Sequence, residues 1–155
     1  MQVNSIPILV AIQDQAQRLH RNANERKRRA TVAYDITVVI DDLPGTLAKV
    51  GEVLGNAGVN IEGYCSFPSG GKSYLHVLLQ EVTDARRVLT ENGIEIAEER
   101  EVITLDMEDL PGAMGKKARL VADAGINIHM VYMGTNSRLV IVAYDLDNAK
   151  AALGT

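Results

Sequence analysis

The residues best suited to bind a ligand form a short turn that occurs twice. The first copy is Asp42-Leu43-Pro44-Gly45 and the second is Asp109-Leu110-Pro111-Gly112. A helix that begins at such a turn presents unpaired N–H groups and the positive end of its dipole, which favour an anion such as an α-carboxylate. Glycine has no Cβ, so a ligand can approach the backbone closely at Gly45 and Gly112. The two turns therefore predict two binding sites for a small carboxylate-bearing molecule.

Two further pairs of polar residues lie at matching positions in the copies. Asp42 and Asp109 could accept hydrogen bonds from an α-ammonium group, and Asn60 and Asn127 offer both a donor and an acceptor at the start of the next predicted strand. A structural role is the alternative: the aspartates would cap the helices, and the asparagines would tie each strand to the turn before it. The candidate ligand-binding residues are Asp42, Leu43, Pro44, Gly45, Asn60, Ile61, Asp109, Leu110, Pro111, Gly112, Asn127 and Ile128.

Helix and strand patterns explain how the first turn is positioned. Apolar residues recur at helical spacing from Leu47 to Ala57, and Gly58 is placed to end that helix. Residues 34–40 alternate as in a strand, 60–79 read as a hairpin, and a second helix runs from Thr83 towards Asn92. A short strand, Ile94–Glu98, completes a β-α-β-β-α-β order, which is the ferredoxin-like unit.

The second copy follows the same plan but is shorter. Its strands are predicted at 102–107, 127–133 and 139–143, and its first helix at 113–124, whereas no equivalent of Ile94–Glu98 remains before Thr155. One sheet edge of this unit is therefore expected to be bare or filled by another segment. The segments considered are 94–107, Ile8–Ile12, and a strand of another subunit.

The duplication sets the expected fold class and domain organisation. We expect an α+β protein of two tandem ferredoxin-like units, the second lacking its fourth strand, with antiparallel sheets and helices on one face. The units are predicted at 34–99 and 100–155, after a basic N-terminal extension at 1–30 that is helical or disordered. Only Glu99-Arg100-Glu101 links the two units, so they should pack as an internal pseudo-dimer, with sheets side by side or helices face to face. The incomplete edge also predicts a homodimer.

Composition excludes several function classes. The chain has 155 residues, 46% of them hydrophobic, and a formal net charge of −4, with Arg26–Arg29 as its most basic run. An acidic body argues against nucleic-acid binding, and no apolar run approaches the ~18 residues of a membrane span. The single cysteine, Cys65, rules out an internal disulfide framework and fits a reducing cytoplasm. The histidines are far apart, and no metal-ligand, cofactor or catalytic motif is present, so we expect no enzyme activity.

The pattern Asp-Leu-Pro-Gly, apolar helix and Ala-Gly-Val/Ile-Asn-Ile resembles the ACT domain, here in tandem over about residues 34–155. The resemblance implies a regulatory module that binds amino acids or similar small ligands at interfaces between units, like the stand-alone glycine-cleavage-system repressor. In serine-sensing members, a polar residue two before the proline and the asparagine of the following strand contact the ligand. Those positions correspond to Asp42, Asp109, Asn60 and Asn127. A histidine four before the proline is replaced here by Ile40 and Met107, which departs from the serine-sensing pattern.

These features lead to one functional hypothesis and one alternative. The first is a cytoplasmic, non-enzymatic regulator that binds an amino acid or similar metabolite, forms a homodimer, and acts on a partner enzyme or regulator. The alternative is a protein-interaction or transcription-accessory module that acts through the basic segment at 1–30.

Overall fold

The computed structural model describes residues 31–155, and the predicted extension at 1–30 lies outside this range. The described chain folds into one six-stranded antiparallel sheet with four α helices. In chain order the elements are β1 (Thr31–Asp41), α1 (Thr46–Asn56), β2 (Gly63–Ser69), β3 (Lys72–Leu79), α2 (Thr83–Glu91), β4 (Glu95–Asp106), α3 (Ala113–Asp123), β5 (Ile128–Met133), a 3₁₀ turn (Thr135–Ser137), β6 (Arg138–Ala143) and α4 (Leu146–Leu153).

The sheet joins both repeats edge to edge in the order β2-β3-β1-β4-β6-β5. The tandem ferredoxin-like prediction is confirmed, since each repeat contributes the expected strands and its two helices. The predicted link Glu99-Arg100-Glu101 is wrong, because these residues lie inside the continuous strand β4 and pair with Ile36, Asp35 and Tyr34. One long strand thus serves as the last strand of the first repeat and the first strand of the second.

The place of the missing fourth strand is taken by the beginning of β1. Thr31, Val32 and Ala33 pair with Thr104, Ile103 and Val102, on the side of β4 opposite β6. The first strand was predicted to begin at residue 34, and other segments were expected at the edge, so residues 31–33 were not predicted to fill it. The strand is long enough to pair with both halves of β4, and the edge predicted to be bare is paired inside the same chain.

All four helices cover one face of the sheet. In the first repeat they bury Ile36, Val38 and Leu79 against Val50, Leu54 and Leu89. In the second repeat they bury Ile103, Leu105 and Ile141 against Val121 and Leu153. These two cores hold the helix that follows each Pro-Gly turn in a fixed position.

The opposite face of the sheet is concave and carries residues from both repeats. Ala33, Leu78, Val102, Tyr132, Val140 and Val142 form a third buried cluster there. The outermost strands approach each other at one end, where Gly63 forms a single antiparallel bridge with Gly134. The sheet is therefore curled almost into a barrel at this end, and the third cluster fills its interior.

Candidate functional site

Both Pro-Gly turns open their helices in the same way. Gly45 and Gly112 are the N-cap residues, with left-handed φ values of +91° and +82°. A Cβ at either position would meet no atom within 4 Å, so the backbone is open to an approaching molecule. Leu43 and Leu110 are exposed at equivalent positions in the two turns.

The helix ends leave backbone donors free beside each glycine. The first helical hydrogen bonds run from Lys49 N–H to the Gly45 carbonyl and from Lys116 N–H to the Gly112 carbonyl, each at 3.0 Å. Within the described chain, the intervening N–H groups find no backbone acceptor; they belong to Leu47, Ala48, Met114 and Gly115. Free amides at the positive end of a helix dipole are suited to bind a carboxylate.

The alternative structural role of the two aspartates is not seen. Neither helix has a side-chain cap, and Asp42 and Asp109 are both exposed. In the first turn, Thr46 instead donates its hydroxyl to the carbonyl oxygens of Asp41 and Leu43, at 2.8 and 2.9 Å. Both carboxylates are therefore exposed to solvent in the turns that precede the free amides.

The structure does not bring the predicted asparagines to the turns of their own repeats. Each precedes a strand, β2 or β5, that begins at the end of the sheet opposite to the turn: Gly63 pairs with Leu78 and Ile128 with Ala143, whereas Asp41 and Asp106, which precede the turns, pair with Lys72 and Arg138. Asn60 and Asn127 are exposed, whereas Ile61 and Ile128 are half-buried against the two helical cores. The isoleucines therefore serve packing, and only the asparagines are accessible to a ligand.

The larger of the two turn pockets belongs to the second repeat. It has a volume of about 290 Å³ and includes Leu110 and Pro111 of the predicted set. Its remaining walls are Asp106, Met107, Glu108, Ala113, Lys116 and Lys117. Two lysines in the first turns of the helix reinforce its preference for an anion, and the acidic residues of the same lining can bind a cationic group.

The first repeat has a pocket of about 240 Å³ that lies to one side of the predicted turn residues. Its polar lining includes Asp41, Thr46, Lys49, Lys72 and Glu95. The Lys72 ammonium is 2.7 Å from the Asp41 carboxylate, and this contact raises the pKa of Lys72. An exposed ion pair thus forms part of the wall of the first pocket, so the two repeats differ in the charge they offer a ligand.

Sequence reasoning missed the charged residues that line these pockets. The equivalence of Lys49 and Lys116 in the two copies was the available signal, since both lie one turn inside the helix. Lys72 and Glu95 could not be found in this way, because they reach the pocket through strand pairing and not through the repeated motif.

A second polar cluster lies inside the curl of the sheet. The Asp35 carboxylate is fully buried, 2.9 Å from His76 Nδ1, and accepts a hydrogen bond of 2.8 Å from the Tyr132 hydroxyl. Cys65 is paired with His76 across the strands, and burial, together with the charge of Asp35, raises the pKa of its thiol. Because the thiolate is the reactive form, this shift lowers the reactivity of the Cys65 thiol at neutral pH.

Over 31–155, no group of three or more histidine, cysteine and acidic side chains is placed to hold a metal ion. In the same range, no helix is both long enough and apolar enough to cross a membrane.

Comparison with solved structures places this fold among known ones. A protein from Bacteroides thetaiotaomicron is 22% identical, with a TM-score of 0.72, over 81% of this chain and 88% of that one. The ligand-free regulatory subunit of aspartate kinase from Thermus thermophilus is 18% identical, with a TM-score of 0.62, over 83% of this chain and 97% of that one. The corresponding subunit from Thermus flavus is 20% identical, with a TM-score of 0.56, covering 81% and 92%.

Sequence comparison assigns the family. None of the curated proteins matches the chain. A family model described as an ACT domain pair matches residues 30–153, which include both Pro-Gly turns and every element of the sheet. The chain therefore belongs to the family of ACT domain pairs.

Proposed function

We propose that this protein is a regulatory module that binds an amino acid, or a similar small zwitterion, at its Pro-Gly turns. The observation that carries this proposal is the repeated turn itself. In both copies a left-handed glycine with open space beside it is followed by two free helix amides. The amides bind the α-carboxylate, and an exposed aspartate two residues before the proline accepts hydrogen bonds from the α-ammonium group.

The second turn is the stronger of the two binding sites. Its pocket contains the turn residues Leu110 and Pro111, together with two lysines. The corresponding pocket of the first repeat is smaller and holds the Lys72–Asp41 ion pair. A ligand with a second carboxylate would gain a contact with Lys116 or Lys117, which favours acidic amino acids at this site.

The proposed protein forms a homodimer through its turns. ACT units pair side by side, and exposed apolar residues flank both turns here: Leu43, Leu47, Leu110 and Met114. A second copy of the chain would cover them and enclose the ligand between turns, in a homodimer that acts on a partner enzyme or regulator in the cytoplasm. Sedimentation of the full chain and of a chain beginning at Ala30 tests the dimer, and a monomer in both at micromolar concentration contradicts it.

Titration calorimetry with each proteinogenic amino acid tests ligand binding directly. We expect saturable binding to the wild type, and in Gly112→Val we expect the binding at the second turn to be lost or strongly weakened while the first turn still binds, because a β-branched side chain fills the approach to the amides of the second turn and strains a positive φ. Gly154→Val is the matched control. Gly154 also has a positive φ, +73°, and open space, but it lies at the end of α4. Absence of binding to every amino acid would contradict the proposal.

A further inference from the structure

The strand before each Pro-Gly turn ends in an aspartate that lies directly opposite a cationic residue of the neighbouring strand. β1 ends at Asp41, which pairs with Lys72 of β3. β4 ends at Asp106, which pairs with Arg138 of β6. Directly opposite residues of an antiparallel pair have Cβ atoms about 4.5–5.5 Å apart, so each cation can reach its aspartate. The two ends of the sheet therefore share one arrangement of charges.

In the first repeat the cation binds the aspartate opposite to it. The Lys72 ammonium lies 2.7 Å from the Asp41 carboxylate, and both residues line the first pocket. The ammonium group of a ligand has to compete there with a cation that the fold holds beside the carboxylate. Asp41 is therefore a weakened acceptor for a ligand.

In the second repeat the cation is held by another partner. The Arg138 guanidinium pairs with the carboxylate of Glu62, a residue of the first repeat, and also donates to the Thr135 hydroxyl at 3.3 Å. Glu62 accepts a further hydrogen bond, of 3.1 Å, from the Gln80 side chain. The exposed fractions of the Glu62 and Arg138 side chains are only 19% and 14%. Water and salt screen such a shielded pair little, so Arg138 is fixed on Glu62.

Asp106 is consequently left without a cation. Among residues 31–155, no cationic side chain forms an ion pair with Asp106, although Arg138 lies directly across from it. Asp106 is exposed and lines the second pocket beside Met107, whose N–H donates to the Ser137 carbonyl oxygen at 3.0 Å. That backbone hydrogen bond fixes the end of β4 without any contribution from the Glu62 side chain. The Asp106 carboxylate is therefore both well positioned and available to a ligand.

We propose that Glu62 is a positioning residue for the second ligand site: it holds Arg138 away from Asp106, so that the Asp106 carboxylate can bind the ammonium group of a ligand. This inference rests on the proposed function, and it makes binding at the second turn depend on a residue of the first repeat. The residue equivalent to Glu62 in the second repeat is His129, whose ring contacts Tyr144. Histidine supplies no carboxylate, so the arrangement is not repeated at that position.

A crystal structure of Glu62→Gln without ligand tests the exchange of partners. The substitution keeps the shape of the side chain and removes its charge, so we expect the Arg138 guanidinium to move to within about 4 Å of the Asp106 carboxylate. Glu91→Gln is the matched control, because Glu91 also pairs with an arginine, Arg87, but at the exposed surface of α2. An Arg138 that stays beside residue 62 in Glu62→Gln would overturn the proposal. If Glu62→Gln does not fold, Glu62→Asp, whose shorter side chain withdraws the carboxylate, is crystallised with the same expectation.

Calorimetry with the amino acid that binds the wild type tests the consequence for the ligand. The background is Gly45→Val, in which the second turn is the remaining Pro-Gly site. We expect Glu62→Gln to weaken binding there about 10-fold, because Arg138 then competes for Asp106. Adding Arg138→Gln to Glu62→Gln should restore the affinity, since no cation then competes. A purely structural role of Glu62 would instead make the second substitution as harmful as the first, or more so.

The outcomes separate this inference from the proposed function. Unchanged affinity in Glu62→Gln, or a loss that Arg138→Gln does not reverse, would overturn the role of Glu62. In the Gly112→Val background, which retains the first turn, Glu62→Gln should leave the affinity unchanged, and a similar loss there would also overturn it. If no amino acid binds the wild type, the proposed function fails, while the crystal structure still decides whether Glu62 holds Arg138 away from Asp106.

Discussion

Tyr132 of the second repeat donates its hydroxyl hydrogen to the Asp35 carboxylate of the first repeat, over 2.8 Å, inside the curl of the sheet. Asp35 is completely buried, and its other oxygen lies 2.9 Å from His76 Nδ1. A buried carboxylate is stable only when its oxygens are hydrogen-bonded or paired with charge. The contact therefore makes the two repeats depend on each other for stability, beyond the shared strand β4.

Replacing Tyr132 by phenylalanine should destabilise the whole sheet. Tyr132→Phe removes the hydrogen-bond donor to one oxygen of the buried Asp35 carboxylate. We expect the free energy of unfolding to fall by about 1–3 kcal/mol. Urea denaturation followed by circular dichroism measures this loss. Tyr144→Phe is the control, because Tyr144 is 79% exposed and its substitution should leave the midpoint unchanged. Equal midpoints for wild type and Tyr132→Phe would contradict the prediction.

The Glu62–Arg138 pair should make stability depend on pH in the acid range. Burial acts to raise the pKa of the Glu62 carboxyl, but hydrogen bonds from Arg138 and Gln80 outweigh it and place the pKa below its ordinary value of 4.5. As pH falls, the unfolded chain therefore takes up this proton before the folded chain does. The contribution to stability is complete above about pH 4.5 and is lost as pH falls through the folded-state pKa.

The measurement is the free energy of unfolding as a function of pH for wild type and Glu62→Gln. The difference between the two should be largest at neutral pH and should shrink as the solution is acidified below the ordinary glutamate range. Glu52→Gln removes one negative charge at an exposed position of α1 and serves as the control. A difference that stays constant throughout the acid range would contradict the role assigned to Glu62.

The duplicated motif explains why so much of the fold could be predicted. The motif contains a Pro-Gly turn, an apolar helical pattern and a glycine that ends the helix. Each of these signals depends on a few neighbouring residues, so each can be recognised in the sequence alone. The pairing of Thr31–Ala33 with β4 depends on partners far away in sequence, and no local pattern specifies it. Asp35 and Thr37 alternate with apolar residues and so indicate a solvent-facing side, whereas the curl of the sheet buries them. For the site, the turns were visible in sequence, but the charges around them come from strands that meet only in the fold.

Cys65 should react slowly with thiol reagents in the folded protein. Burial, and secondarily the charge of Asp35, raises the pKa of the Cys65 thiol above its ordinary value of 9.0. Because the thiolate is the reactive form, alkylation by iodoacetamide at neutral pH should be slower than for free cysteine, and unfolding in urea should restore the ordinary rate. A folded-state rate equal to or above that of free cysteine would contradict this assignment.

The closure of the sheet should depend on two glycines that allow the outer strands to touch. A Cβ on Gly134 would lie 2.9 Å from the Glu62 carbonyl oxygen, and one on Gly63 would lie 2.7 Å from the Gly134 Cα. The φ of Gly134 is −97°, which any residue adopts, so the obstacle to alanine there is steric: the Cβ would meet the Glu62 carbonyl oxygen and, at 3.2 Å, Leu78 Cδ2. Gly134→Ala must push β5 away from Glu62, and we expect it to lower the free energy of unfolding by about 1–3 kcal/mol.

The matched control for that substitution is Gly51→Ala, in the middle of α1. No atom lies within 4 Å of a Cβ at Gly51, and alanine is favoured over glycine in a helix by about 0.5–1 kcal/mol. The same glycine-to-alanine change should therefore stabilise the protein at position 51 and destabilise it at position 134, with both measured by urea denaturation. If Gly134→Ala were as stable as the wild type, the prediction would be contradicted. The outer strands would then not be in the close contact that curls the sheet and brings the Thr135 N–H to the Glu62 carbonyl oxygen.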